Sequence, residues 1–232
     1  NNQSTDYFSK IIFVCASTLN SNQILLNSKS NRFPNGLGND SGLLGKYVAF
    51  HNYRAKISAL HEGHQNFKPD GRKPTSSYIP RFRNVYRQET NFLRGYAAGF
   101  STAKISNINS SGFGKDLFNN LTIDKEDGAW RVGSHMMGET IPKITNYVDL
   151  SKDKIDKNGI PLLNINVSYD NNDELMIKDF YEQYTEMYEK AGFKEIKTRD
   201  TKQAPGLDIH EMGGVRMGND PKTSLLNKWN QM

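Results

Sequence analysis

The chain has one cysteine in 232 residues. Cys15 therefore has no intrachain partner, and the small disulfide-stapled secreted scaffolds are excluded. No apolar run approaches the roughly 20 residues that a membrane-spanning helix requires, so no transmembrane segment is expected. No signal peptide is visible, and the compartment stays open between periplasm and cytoplasm. Hydrophobic residues make up 36% of the chain, low for a packed globule. Nowhere does G-x-G-x-x-G open a strand–turn–helix unit, the arrangement that seats a dinucleotide pyrophosphate on a helix N-terminus. The glycine run at 36–45 follows a helical stretch instead of a buried strand. No internal repeat is evident.

What charge there is gives little direction. The net charge is +5, but Lys and Arg are spread among Asp and Glu. The densest basic stretch is Arg81, Arg83, Arg87 and Arg94, interleaved with Tyr78, Phe82, Tyr86, Phe92 and Tyr96. Nucleic-acid binding uses such stripes, but no nucleic-acid module signature accompanies this one, and no nucleic-acid partner is expected. A sugar site uses the same mixture, because aromatic faces stack on pyranose rings and Arg donates several fixed hydrogen bonds. Arg81, Arg83, Arg94 and Tyr96 are the substrate-binding candidates on that ground. The plainer alternative is an amphipathic sheet surface.

The hydrophobic pattern predicts an α+β chain. Ile11 to Ala16 is a continuous apolar run that reads as a strand buried on both faces, and Asn20 to Asn27 reads as a short helix with Ile24, Leu25 and Leu26 inward. Residues 28–45 read as loop, and residues 62–77, with Pro69, Gly71 and Pro74, as a surface loop. Ala55 to Leu60, Asn91 to Phe100 and Trp130 to Met137 read as strands; Gly112 to Leu121 is ambiguous. Tyr147 to Leu150 and Leu162 to Tyr169 read as strands joined through the turn dipeptide Asn158-Gly159, with Ile165, Val167 and Tyr169 on the dry face. Asp173 is expected to cap a helix running to Ala191, with Ile177, Phe180, Tyr184, Met187 and Ala191 as its apolar stripe and Gly192 as its stop. Phe193 to Thr198 reads as extended. The order is a short α/β stretch, then a mostly antiparallel region with one long helix behind it.

The most chemical segment is His210-Glu-Met-Gly-Gly-Val-Arg-Met-Gly218. Glycines let a backbone approach a flat ligand closely, and a histidine among them can exchange a proton near neutral pH. It resembles the H-x-x-G-x-x-x-M-G segment of the glucose–methanol–choline (GMC) family of flavin-dependent oxidoreductases, with His210, Gly213, Met217 and Gly218 matching. The position after Gly213 is usually threonine in that family and is Gly214 here. Lys10 to Ser28, Gly38-Asn-Asp-Ser-Gly-Leu-Leu-Gly45 with His51, and Gly138-Glu-Thr-Ile-Pro142 through Ile160-Pro-Leu162 resemble further family segments in the same order. The resemblance runs with gaps from about Lys10 to Gln231, and most nearly suits bacterial sugar and glycoside dehydrogenases.

The resemblance implies FAD as cofactor and His210 as the residue that accepts a substrate hydroxyl proton while hydride passes to the flavin. It implies Ala16, Ser17, Gly213 and Gly214 near the cofactor, with Ser17 where glycine is more usual. It implies an alcohol or sugar substrate, an electron-acceptor protein or a quinone, and an antiparallel sheet of six-stranded type over the active site. The expected division is a remnant of the FAD domain over 1–52, a substrate domain over 53–206 and a return segment over 207–232. The family's fingerprint turn lies upstream of these motifs and its second catalytic residue downstream, so the chain reads as a C-terminal fragment, inactive alone. His51 reads as a loop-anchoring residue more readily than a catalytic one. His61 and His64 form H-x-x-H without a further metal ligand at useful spacing, and His135 reads as strand packing. The alternative function is a non-catalytic carbohydrate-binding or scaffolding module.

Overall fold

Ala55, Ile57 and Ala59 alternate with Lys56, Ser58 and Leu60, and a period of two buries one side of a strand and leaves the other open. The computed structural model bears this out, the first set being buried and the second half-buried. It describes residues 5–64, 76–105, 112–122, 129–207 and 209–232. The expected surface loop at 62–77 lies largely outside the described residues.

The strands are β1 (Lys46–Ala49), β2 (His51–Asn52), β3 (Ala55–His61), β4 (Ser77–Ile79), β5 (Tyr96–Lys104), β6 (Trp130–Glu139), β7 (Tyr147–Ile155), β8 (Pro161–Asn166), β9 (Lys194–Asp200) and β10 (Met212–Gly214). The helices are α1 (Ser17–Asn27), α2 (Lys115–Thr122) and α3 (Asn171–Lys190). The chain divides into two units. One comprises Asn1–Ala49, Pro142–Val167 and Glu211–Met232; the other comprises Phe50–Ile141 and Ser168–His210. Among the described residues these strands all pair antiparallel, so the α+β, antiparallel architecture expected from the pattern is the one observed.

The first unit holds a four-stranded sheet in the order β10-β1-β7-β8. Leu25 and Leu26 of α1 pack with Leu44 and Leu225 beside it. Three expectations fail here. Residues 11–16 form no strand: Ile11, Ile12 and Phe13 are 68%, 75% and 82% exposed, and Cys15 is exposed as well. A buried strand needs a neighbouring ladder to satisfy its backbone, and no strand pairs with these residues among those described. The remnant of a flavin-binding sheet is thus not seen. Ile24 is 45% exposed and Asn22 takes the inward position instead. On β8, Leu163 packs inward but Ile165 is 46% exposed.

The second unit is a six-stranded sheet in the order β4-β5-β6-β3-β9, with β2 pairing the end of β6. Helix α3 covers one face. Met176, Ile177, Phe180, Tyr184 and Tyr188 meet Ala55, Ile57, Ala59, Ala98, Val132 and Met136, so small residues on the sheet receive large rings from the helix. Tyr188, one position on from the expected Met187, completes the stripe, and Ala191 is exposed. The N-cap is Asp170, not Asp173. Asp170 accepts from the Asn172 amide while Asp173, at the third helical position, accepts from the Asp170 amide, a reciprocal capping box. Gly192 ends the helix at φ +78°. The ambiguous stretch at 112–121 holds all of α2 but its last residue.

Arg54 ties the sheet to the helix. Its buried guanidinium donates to Asp200 on β9 and to Glu174 on α3, and lies 5.2 Å from the Tyr169 ring centroid. The hydrogen bond from Arg54 holds the Asp200 carboxyl well below the usual carboxylate range. Removing the cation leaves both carboxylates with a partner lost, so Arg54→Ala is expected to cost roughly 3 to 5 kcal/mol in urea denaturation. Asp200 has a lower pKa folded than unfolded. Its contribution is complete above about pH 4, the ordinary aspartate value, and is lost as pH falls toward the folded value. Stability should therefore decline below about pH 4, and Asp200→Asn should flatten that decline; an unchanged slope would refute this.

Candidate functional site

His210 closes the second unit, in a left-handed conformation at φ +66° that non-glycine residues seldom adopt. Its side chain is exposed, and its ring stands edge-on to that of His51, centroids 5.1 Å apart at 80°. His51 is held by the sheet. Its Nδ1 lies 3.2 Å from the Gly138 carbonyl oxygen on β6, which can only accept. Nδ1 therefore carries the proton, and the Nε2 of neutral His51 is left as an acceptor. The neighbouring Asn52 is fully buried and donates to the Asp173 carbonyl of α3. Strand alternation then points His51 to the opposite, open face. Gly138 lets Met176 pack close on this strand, since a Cβ there would lie 2.7 Å from the Met176 sulfur. Two imidazoles this close, one of them exposed, can take up and hand on a proton.

The glycines of the motif belong to the first unit. Gly213 and Gly214 lie on β10 beside β1, at φ +90° and +75°. A Cβ on Gly213 would collide with the Tyr47 carbonyl, and one on Gly214 with the Asn22 side chain. Asn22 Nδ2 donates to the Thr18 and Gly213 carbonyls, and the Thr18 hydroxyl donates to Glu211 at 2.6 Å. Helix α1 and the motif strand are thus laced together by side chains no local pattern marks as important. Asn22 was missed in the sequence, where it looked like any polar residue in an ordinary helix. Ala16 caps α1 without a side-chain hydrogen bond, and Ser17 has φ +64°.

The substrate-binding candidates divide. Tyr96 is 1% exposed, faces α3 and donates from its hydroxyl to Asp179 at 2.6 Å. Arg83 forks the same Asp179 at 2.8 and 3.0 Å. These two are fastened to the covered side of the sheet, so Tyr96 is a core residue and not a stacking face, and Arg83 is the ion pair that sits over it. The burial of Tyr96 at position one of a strand is set by alternation, which the density of aromatic and basic residues in the sequence does not record. Arg81 spends its guanidinium on Glu139 and on the Arg83 and Asn84 carbonyls. Arg94 is exposed at φ +69°. His61 and His64 have rings 5.6 Å apart and border a cavity of about 390 Å³ with Trp130 and Phe193. No group of three metal-ligating residues occurs among the described residues. His135 packs on the sheet as expected, 4.6 Å from the Tyr53 ring.

Residues 142–232, which include the histidine motif, match the family model described as GMC oxidoreductase. A 2-methyl-1,2-propanediol dehydrogenase from Mycolicibacterium austroafricanum is 30% identical over 242 residues, covering 96% of this chain and 41% of the relative. A paromamine 6'-oxidase from Streptomyces fradiae is 25% identical over 227 residues, covering 94% of this chain and 38% of the relative. Residues 142–232 therefore belong to the GMC oxidoreductase family. The chain spans about two fifths of the length of these relatives.

FAD is what that family implies. The open N-terminus of α1 and the glycines of β10 lie within one unit, but both glycines are consumed by contacts with Tyr47 and Asn22. Among these residues there is no glycine-rich phosphate turn. These residues offer no amide cradle for the pyrophosphate of a dinucleotide. Among the described residues no helix is long and apolar enough to cross a membrane.

The packing of Gly214 yields a test. Gly214→Thr restores the residue usual in the family at that place, yet here it meets both a positive φ and the Asn22 amide. We expect it to destabilise the protein by roughly 1 to 3 kcal/mol, read as a fall in Tm. The double change with Asn22→Ala should recover part of the loss. A neutral Gly214→Thr would show that β10 re-forms around the side chain.

Proposed function

We propose that this chain is part of an FAD-dependent oxidoreductase acting on the CH–OH group of an alcohol or sugar, with His210 as the proton acceptor. The observation that carries the reading is His210 itself: it stands in the family's motif, exposed, with a second imidazole, that of His51 on β2, 5.1 Å away. Oxidising an alcohol removes a proton and a hydride together, so the reaction needs a nearly neutral base beside a hydride acceptor. FAD supplies that acceptor when bound. His210 takes the hydroxyl proton, and His51, fixed by Gly138, presents an acceptor nitrogen to the same space. An acceptor protein or a quinone would take up the electrons. Ala16 and Ser17 at the head of α1, with Gly213 and Gly214, are the residues we assign nearest the cofactor.

The test is a substitution in the complete enzyme. His210→Ala should cut turnover by roughly two to four orders of magnitude, the range for losing a positioned base, while KM changes far less. Near-normal turnover would make His210 structural.

A second outcome follows from the missing phosphate turn, whose amides supply much of the grip on a pyrophosphate. The 232 residues alone should elute from gel filtration colourless after incubation with FAD. Stoichiometric yellow flavin in the protein peak would overturn that, and a colourless full-length protein that still binds sugar would favour a carbohydrate-binding module instead.

A further inference from the structure

One register row crosses the open face of the six-stranded sheet. Arg199 on β9 pairs with Lys56 on β3, Lys56 pairs with His135 on β6, His135 pairs with Gly99 on β5, and Gly99 pairs with Tyr78 on β4. Directly paired residues of antiparallel strands project to the same side. That side is the one away from α3, because the alternate residues Ile57, Ala98 and Met136 are buried against the helix. Two cations and an imidazole therefore stand shoulder to shoulder with no acid in their row. Among the described residues, neither Lys56 nor Arg199 has a carboxylate within ion-pair distance. Like charges placed directly opposite each other are unfavourable in a sheet.

The row is built and not merely crowded. Lys56 Nζ lies 4.8 Å from the Tyr53 ring centroid, and the Tyr53 ring lies against His135. Gly99 has no side chain where His135 lies, since a Cβ there would meet the imidazole. Burial, and then the nearby Lys56 ammonium, lowers the pKa of His135, which agrees with an imidazole pressed beside an uncompensated cation. Tyr53 follows His51 by two residues on the same face, and His135 precedes Glu139, the partner of His51, by four residues or about 13 Å of strand. The cationic row is thus on the face that presents His210, a short molecule's length away.

We propose that Arg199, Lys56 and His135 bind the anionic oxygens, carboxylate or phosphate, of a polyhydroxy substrate whose hydroxyl reaches His210. This rests on the reading of His210 as the proton acceptor and narrows its substrate class from neutral alcohols to acidic ones. Arg offers a fork matched to such oxygens, and Lys a mobile point charge.

The experiment uses the complete enzyme with three probes: glucose, gluconate and glucose 6-phosphate. Turnover is measured with an artificial electron acceptor, and binding by calorimetry. At least one anionic probe should be preferred over glucose, and which one separates carboxylate from phosphate. Arg199→Gln and Lys56→Gln should each raise KM and Kd for that probe about tenfold, the worth of one charge-assisted hydrogen bond, with a smaller effect on kcat. Lys197→Gln serves as the control, because Lys197 stands in the adjacent row with Glu195 at 3.5 Å. Tm confirms that each variant is folded. Equal binding of all three probes, or an unaltered Kd in both Gln variants, overturns the proposal. Anion binding that Arg199→Gln abolishes in an enzyme that oxidises none of the probes supports the proposal and counts against the reading of His210.

Discussion

The seating of α3 on one face of the six-stranded sheet is the contact on which the rest depends. Phe180, Tyr184 and Tyr188 bring rings to a surface of Ala55, Ala59 and Ala98. Large residues on one layer and small ones on the other fill the space between them without voids. Emptying one ring position, as Phe180→Ala would, removes several kcal/mol from a core of this kind. Because the helix takes one face, β3, β5 and β6 each have a side committed to stability and a side left open. His51, Tyr53, Lys56 and His135 are on the free side, and Asn52, Arg54, Ile57 and Met136 on the committed one.

This division explains how far the sequence could be read. The period of two in β3 and β6 and the 3.6 period of α3 are strong signals, because each element buries one side and the burial is written in residue type. The motif around His210 was legible through its resemblance to a family. Tyr96 and Arg83 suit a sugar site by residue type, and the structure fastens both to Asp179 on the helix-covered side of the sheet. Which side they face is set by register against Gly138 on β6 and by Asp179 on α3, and both partners are remote in sequence. The run at 11–16 misled for a related reason. Apolar and β-branched composition states a capacity to be a strand, but pairing is a property of two strands, and here no second one meets it.

Arg54 shows the same dependence on remote partners. A lone arginine between two short strands has no sequence signature. Its two carboxylates lie 120 and 146 residues away, and together they lock β9 and the first turn of α3 to the start of β3. A desolvated pair of this kind adds less net stability than its geometry suggests, because both charges leave water. Its larger effect is on specificity, since any register that separates Arg54 from Asp200 strands a charge.

The histidine motif combines constraints of different origin in nine residues. His210 carries a left-handed backbone that costs free energy for a side chain with a Cβ, and strain of that kind persists only where surrounding structure enforces it. Gly213 and Gly214 relieve the same cost at the next two left-handed positions, and their missing side chains admit the Tyr47 carbonyl and Asn22. A threonine after Gly213 would need a different neighbour in α1. The glycine found here and the buried asparagine 192 residues earlier are therefore one adaptation. The departure from the family pattern at Gly214 is a matter of how β10 is anchored, and it leaves the imidazole of His210 free to act.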